Sequence, residues 1–518
     1  MVIETPEQHE ALVASLMDPR RWPQGGGERR RIDTHISTVI LAGDLAYKLK
    51  KPLDLGFLDF LSLDARRQAC LAEVRLNRRL APEIYLGVSA ISGSIQAPRV
   101  DGDGPAIDWA VRMQRFDPDA ILANLAAQIR PPLIVQLADR VARFHAEAAT
   151  CPQQELFGTP PVVFAPMQQN FEQIHALFGS ADASLESLRV WTLEEYARLG
   201  DALRARKSDG HVRECHGDLH LGNVALIDAR PVVFDAIEFN PGFRWIDTLN
   251  DVAFLTMDLH HRARPELAYQ FLDRYLQIGG DYAGLAVLRF YEVYRAMVRA
   301  KIAAIRLHQQ IDASERGSVE AEFAAYIALA GRLTRGHSGA LLITHGLSGS
   351  GKSHVTAGLP GELPAVRLRS DVERKRLLGI DPGSDASAVD GYSRELTERT
   401  YARLAQLARG VVEAGYVAVI DATFLKRAQR ARFSELAAAL QVPFVIIDCD
   451  AAPPILRERI LRRRSESGNV SDADLSVLEM QLRNHEPLDA AEAATSIPVG
   501  PDLPLALDRV RQLLDAQR

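Results

Sequence analysis

The chain has 518 residues, too many for one ordinary hydrophobic core, so two or three domains are expected. Hydrophobic residues at 47% and charged residues at 25% exclude wholesale disorder, and a net charge of −6 excludes a global pull toward nucleic acid or membrane. Four scattered cysteines, Cys70, Cys151, Cys215 and Cys449, argue against a disulfide framework, and the polar start "MVIETPEQHE" does not read as a signal peptide. No apolar run approaches the roughly 20 residues of a membrane span, so a cytoplasmic protein is expected.

In chain order, "RWPQGGGERRR" (21–31) is the first turn-rich punctuation. "STVILAGDLAYKLKK" then places two β-type runs around Gly43-Asp44, which reads as a hairpin. "DARRQACLAEVRLNRRLAP" (64–82) has helical spacing and is expected to end at Pro82. "AIDWAVRMQRF" (106–116) reads as a strand. Helical patterns follow to about residue 335, interrupted by loop and short-strand signals in "HVRECHGDLHLGNVALIDARPVVFDAIEFN". The expected first domain is therefore residues 1–335, α+β and bilobal, with a sheet-rich lobe over about 30–115 and a helical lobe over about 116–335.

After a linker at "TRGHSG" (334–339) the pattern changes. Continuous apolar runs, "LLITHG", "YVAVIDATF" (416–424) and "VPFVIIDCD" (442–450), alternate with amphipathic helices. Such runs predict a parallel sheet covered on both faces, an α/β domain over 336–518.

Gly346-Leu347-Ser348-Gly349-Ser350-Gly351-Lys352-Ser353 satisfies G-x-x-x-x-G-K-[ST] between an expected strand and helix. Glycines let backbone N–H groups curl around phosphate oxygens. Lys352 reaches the β- and γ-phosphates, Ser353 ligates Mg²⁺, and the following helix offers its N-terminus to the anion. Asp371 and Arg374, at D-x-x-R spacing in "RLRSDVERKRLLG", place a base and an anion-binding cation at one helix start. Asp421 ends an apolar strand and suits a Mg²⁺ or Mg²⁺-water role. "ILRERILRRR" (455–464) reads as an arginine lid over the transferring phosphoryl group or as a solvated helix face. Arg459 and Arg463 share a face at i, i+4 and are the favoured pair.

On "GLSGSGKS", "SDVER", "DATF" and the arginine-rich segment ending in "SDADLSVLEMQ", residues 339–490 resemble the small P-loop kinases: polynucleotide kinases, gluconate kinases and zeta-toxin-like kinases. The resemblance implies that Asp371 activates the acceptor hydroxyl, that Arg374 grips the acceptor and that lid arginines act on the phosphates.

"HGDLHLGNV" (216–224) is a different signature. Its H-x-D-x-x-x-x-N spacing is that of a kinase catalytic loop, with Asp218 taking the acceptor proton and Asn223 ligating Mg²⁺. "PVVFDAIEFN" supplies Asp235 as the metal-binding aspartate. A zinc site on His216 and His220 is disfavoured, because Gly217 and Gly222 oppose a helix and the HExxH glutamate is missing. A structural turn with satisfied histidines is the other alternative. Upstream, Lys48 in "AYKLKK" takes the place of the nucleotide-binding lysine, with Glu73 as its partner. Lys50 shares the strand face of Lys48, and spacing does not choose between them.

On "HGDLHLGN", "FDAIEFN" and "VARFHAEA", residues 30–310 resemble aminoglycoside phosphotransferases and related kinase-like small-molecule phosphotransferases. The whole chain resembles bacterial fusions of such a domain with a P-loop kinase domain. In "RWIDTLNDVAFLTMDL", Asp247 and Asp251 read as structural. "RRIDTHISTV" departs from the pattern, with no glycine where kinases place a Gly-rich loop; Thr34, Ser37 and Thr38 offer hydroxyls instead. The implied function is phosphoryl transfer from ATP, with Mg²⁺, to a hydroxyl of a small molecule at each of two sites. The alternatives are a non-catalytic first domain beside an active P-loop kinase, or a nucleic-acid 5′-end kinase.

Overall fold

The computed structural model describes residues 3–23, 29–56, 58–179, 183–309, 312–381, 393–464, 475–494, 496–500 and 504–516, with the backbone alone at 313, 463 and 464. The chain forms two compact units, one of Met1–Gln136, Phe144–Gln169 and Leu203–Asp258, the other of Leu137–Arg143, Asn170–Ala202 and Leu259–Arg518.

The first unit is built on strands β1 (Arg29–Asp33), β2 (Ser37–Ala42), β3 (Leu45–Lys50), β4 (Tyr85–Ser94), β5 (Ala97–Val100) and β6 (Ala106–Gln114). They form an antiparallel sheet in the order β1-β2-β3-β6-β4-β5. The expected hairpin turns at Gly43, whose φ of +63° suits a residue without Cβ. Ile40, Tyr47, Leu49 and Ala110 fill one side of the sheet together with Leu12, Val13 and Leu16. The expected helix runs Leu63–Asn77, capped at its start by the Ser62 hydroxyl on the Ala65 amide. It stops short of Pro82 because the Leu80 and Ala81 amides both turn back to the Asn77 carbonyl.

Two small antiparallel pairs follow, β7 (Val212–Glu214) with β10 (Trp245–Asp247) and β8 (Val224–Ile227) with β9 (Arg230–Val233). The catalytic-loop sequence lies between β7 and β8, and "FDAIEFN" lies between β9 and β10. Two short pairings thus frame both polar segments.

The second unit holds β11 (Ala340–His345), β12 (Ala365–Arg369), β13 (Val417–Asp421), β14 (Phe444–Cys449) and β15 (Ser496–Val499). They form a parallel sheet in the order β12-β13-β11-β14-β15. Every residue of β11 and β13 is buried, which is why the central strands are apolar without alternation. The P-loop follows β11, the central strand. The helices Pro265–Gly279, Leu285–Leu307 and Ala313–Arg335 belong to the same compact unit as this sheet.

Candidate active sites

In the first unit, β3 carries Lys48 and Lys50 on one face, two residues apart. The Lys48 ammonium lies 2.9 Å from Glu73 Oε1 and 2.6 Å from Asp235 Oδ1. Lys50 pairs instead with the other oxygen of Glu73 and with Glu238. Burial weakens the charge on Lys48, but Asp235 and Glu73 outweigh it and raise its pKa. Glu73 is fully buried, yet the two ammonium groups hold it down to about 2. Geometry separates the two lysines: Lys48 reaches the Asp235 carboxylate, whereas Lys50 is fully buried.

Asp235 sits at φ +64°, a left-handed conformation that costs a residue with a Cβ and is tolerated where surroundings impose it. Its N–H donates to the Tyr85 hydroxyl at 3.1 Å, and the next N–H, that of Ala236, donates to Asn77 Oδ1 at 2.8 Å. The helix that supplies Glu73 therefore also anchors the aspartate loop.

The catalytic-loop sequence is a loop that ends in a single 3₁₀ turn, Leu221–Asn223. Asn223 donates its side-chain amide to Asp218 Oδ2 at 2.9 Å and to the Asp218 carbonyl at 3.0 Å, which leaves Oδ1 as its metal-competent atom. The backbone of Phe234 ties this loop to Asp235: its N–H donates to the Asn223 carbonyl, and its carbonyl accepts from His216 Nε2 at 2.9 Å. His216 Nδ1 accepts from the Asp218 N–H at 3.2 Å, so the ring is the neutral Nε2–H tautomer, and burial lowers its pKa accordingly. Gly217 has φ +89°, and a Cβ there would stand 2.6 Å from the Phe243 carbonyl oxygen. Asp251 accepts the N–H groups of His216 and Gly217 at 2.8 and 2.9 Å, in the structural position expected for it. His220 lies 3.4 Å from Asp218 Oδ2 and accepts the Gly222 N–H.

The three hydroxyls in place of a Gly-rich loop are differently occupied. Thr34 Oγ1 bonds Ser37 across the β1–β2 turn, and the buried Thr38 Oγ1 donates to Asp33 and meets His9. Ser37 and Thr38 are fully buried, so they are not presented to a phosphate.

In the second unit, one cavity is lined by Ser348, Gly349, Gly351, Lys352 and Ser353 together with Asp371, Arg374 and Asp421. Gly346, Gly349 and Gly351 have φ of +137°, +88° and +102°. A Cβ on Gly346 would meet the Cys449 carbonyl oxygen at 2.1 Å, so the close approach of β14 demands glycine. Lys352 Nζ donates to the Gly346 and Leu347 carbonyls at 3.0 and 2.7 Å, folded onto its own loop. Arg374 and Asp371 form an ion pair of 3.1 Å, one helical turn apart. Arg459 Nη1 donates to the Gly349 carbonyl at 3.2 Å, while the Arg463 and Arg464 side chains and residues 465–474 lie outside the described residues. Gly346 and Ser350 shape the loop without lining the cavity.

Asp421 is buried, and its Oδ2 has no hydrogen-bond partner among the described residues; Arg369 Nε stands 3.6 Å away. A buried carboxylate oxygen without a hydrogen bond, beside a glycine cradle, fits a site for a hydrated divalent cation and a phosphate. The cavity also recruits Arg369, Tyr401, Lys426 and Gln481, which sequence reasoning missed. Gln481 Oε1 accepts the Ser348 N–H at 2.9 Å, and only its place at the end of "SDADLSVLEMQ" hinted at this. Glu238 was missed in the first site, although two lysines at i, i+2 called for a second buried acid.

Residues 60–291 match the model of the phosphotransferase enzyme family, and residues 341–488 match the model of an AAA domain. An uncharacterized protein of Mycobacterium tuberculosis is 29% identical over 455 residues, covering 86% of this chain and 88% of that one. Among solved structures, a choline/ethanolamine kinase family protein from Mesorhizobium loti is similar at 12% identity and a TM-score of 0.36, covering 62% of this chain and 99% of its own. A sugar kinase from a Janibacter species is similar at 20% identity and a TM-score of 0.27, covering 34% of this chain and 94% of its own. The family matches fall one on each polar signature, the first around "HGDLHLGN" and the second around "GLSGSGKS".

Proposed function

We propose, from the premise that this chain fuses a kinase-like phosphotransferase domain to a P-loop kinase-like domain, that each domain transfers the γ-phosphoryl group of ATP to a hydroxyl of a small molecule. The observation that carries the reading for the first domain is the 2.9 Å bond from Asn223 to Asp218. It holds the proposed base beside a metal-competent amide, in a loop tied through Phe234 to Asp235.

Asp218 receives the acceptor hydroxyl proton as the new O–P bond forms and the bridging P–O bond to ADP breaks. Lys48, fixed by Glu73, supplies positive charge to the nucleotide phosphates, and Asp251 keeps the loop in place through two amides. In the second domain Asp371 has the same role toward its acceptor, Arg374 holds the acceptor, and Lys352, the loop amides and Arg459 bind the phosphates. Mg²⁺, which Asn223 and Asp235 would hold in one site and Ser353 and Asp421 in the other, would neutralise the β- and γ-phosphate oxygens.

Asp218→Asn and Lys352→Ala, alone and together, test the assignment by ATP turnover. Each single variant is expected to retain one activity and the double variant none. Turnover unaffected by Asp218→Asn sinks the two-kinase reading. A second reading, with only the P-loop domain catalytic, is favoured by the internally bonded hydroxyls of Thr34, Ser37 and Thr38. The nucleic-acid reading loses support from Arg457, whose guanidinium is paired with Glu479 at 2.7 Å. Acceptor screening with sugars, aminoglycosides and single-stranded oligonucleotides separates that reading from the small-molecule one.

A further inference from the structure

Among the described strands β12 is the edge of the parallel sheet and is bonded only to β13, so its outer amides have no strand partner there. The helix Pro265–Gly279 covers that edge. Asp273 on this helix accepts the backbone N–H of Arg367 at 2.7 Å through Oδ1. Its Oδ2 accepts from Arg367 Nε and Nη2 at 2.9 and 2.7 Å, and from Gln277 at 2.6 Å. The Asp273 side chain is only 3% exposed, so both oxygens are committed to this one junction.

A second grip lies about one turn further on, at the C-terminal end of the same helix. Arg376 donates to the Gln277 carbonyl and, at 3.2 Å, to that of Ile278, the last carbonyls of Pro265–Gly279. Gly280 ends that helix in a left-handed conformation, and a Cβ there would press on Arg376 Nε at 2.9 Å. Arg376 also lies over the Tyr282 ring, 5.9 Å from its centroid.

Asp371 and Arg374 stand between these two grips, on the helix Ser370–Leu377 that continues directly from β12. The gripping residues, 273–282, fall inside the stretch matched by the phosphotransferase family, not inside the P-loop match. We infer that Asp273 and Arg376 are positioning residues for the P-loop site, so that its acceptor-side segment is held in place by the helix Pro265–Gly279, which lies outside the P-loop match but in the same compact unit. This rests on the proposed roles of Asp371 and Arg374. The nucleotide-binding loop follows β11, two strands away from the clamped edge, and is untouched by either grip.

The test uses the full chain with Asp218→Asn, which leaves the P-loop site as the source of ATP turnover, with water standing in for the acceptor. Into this background go Asp273→Asn, Arg376→Ala and Arg376→Lys. The expected result is a fall in kcat of tenfold or more for Asp273→Asn and Arg376→Ala, KM for ATP within twofold of the parent, and partial recovery in Arg376→Lys. Unchanged kcat overturns the inference, even where the unfolding midpoint drops, because the clamp is then only structural. A joint loss of nucleotide affinity and kcat overturns it as well, since the damage is then not confined to the acceptor side. Lys352→Ala in the same background is the control: if it leaves turnover intact, the P-loop reading itself fails and this inference falls with it.

Discussion

Lys48 Nζ stands 2.6 Å from Asp235 Oδ1, joining the third strand of the sheet to an aspartate 187 positions later in the chain. Glu73, on the helix Leu63–Asn77, holds the same ammonium at 2.9 Å. The lysine proposed to bind nucleotide in the first site is therefore held by two acids.

Lys48→Met removes that charge while Glu73 keeps its contact with Lys50. In a Lys352→Ala background, kcat for the remaining ATP turnover is expected to fall on the order of 10²–10³-fold, the usual cost of losing a preorganised electrostatic donor. The chain should keep its unfolding midpoint within a few degrees. Steady-state turnover beside a thermal melt checks both halves, and undiminished kcat would refute the role.

Lys50→Met behaves differently, because Lys50 is fully buried between Glu73 and Glu238. Burial already raises the Glu238 pKa, opposed chiefly by Lys50. Removing the lysine leaves an uncompensated buried carboxyl, at a cost of about 3–5 kcal/mol. Urea unfolding measures it. A loss well under 1 kcal/mol would mean that the pair is solvated.

His9 gives the first unit a pH response. Burial lowers its pKa to about 4, with Glu10 opposing and Lys51, Arg66 and Arg31 assisting. The unfolded chain takes up this proton near the ordinary histidine value, about 6.5, before the folded one does. Stability is thus full above that pH and declines as pH falls from about 6.5 to 4, by about 3 kcal/mol when complete. His9→Gln should flatten the decline by that amount. Parallel pH dependence in wild type and variant, read from urea midpoints between pH 7 and 4.5, would exclude His9 as its source.

Gly346→Ala drives a Cβ to within 2.1 Å of the Cys449 carbonyl at φ +137°. The loop must shift, so binding of a fluorescent ATP analogue at the P-loop is expected to weaken at least tenfold. An Asp235→Ala background confines the titration to that site. Unaltered affinity would show that the cradle tolerates a side chain.

Much of both sites was legible because the chemistry is written into contiguous residues. "GLSGSGKS" encodes a loop whose glycines take left-handed φ values, and "HGDLHLGN" brings Asp218 and Asn223 together over five positions. The apolar runs of β11 and β13 announced a sheet buried on both faces. Lys48, Glu73 and Asp235, expected from matching residue type to an order of elements, meet in one ion-pair cluster.

What the sequence could not decide were choices between near-equivalent residues and contacts made at long range. Lys48 and Lys50 share a strand face, and only the carboxylate each one meets, Asp235 or Glu238, separates them. Thr34, Ser37 and Thr38 looked like free hydroxyls until the β1–β2 turn paired or buried them. Arg369, Lys426 and Gln481 carry no local signature and reach the P-loop cavity from three separate segments. Asp273 reads as one more acid on a helix until it caps a sheet edge. Sequence by itself determined the covalent spacing of the phosphate loop, the catalytic loop and the fully apolar strands. Tertiary packing alone decided which charges meet, because an ion pair depends on distance in space and burial, and neither is a property of neighbouring residues in the chain.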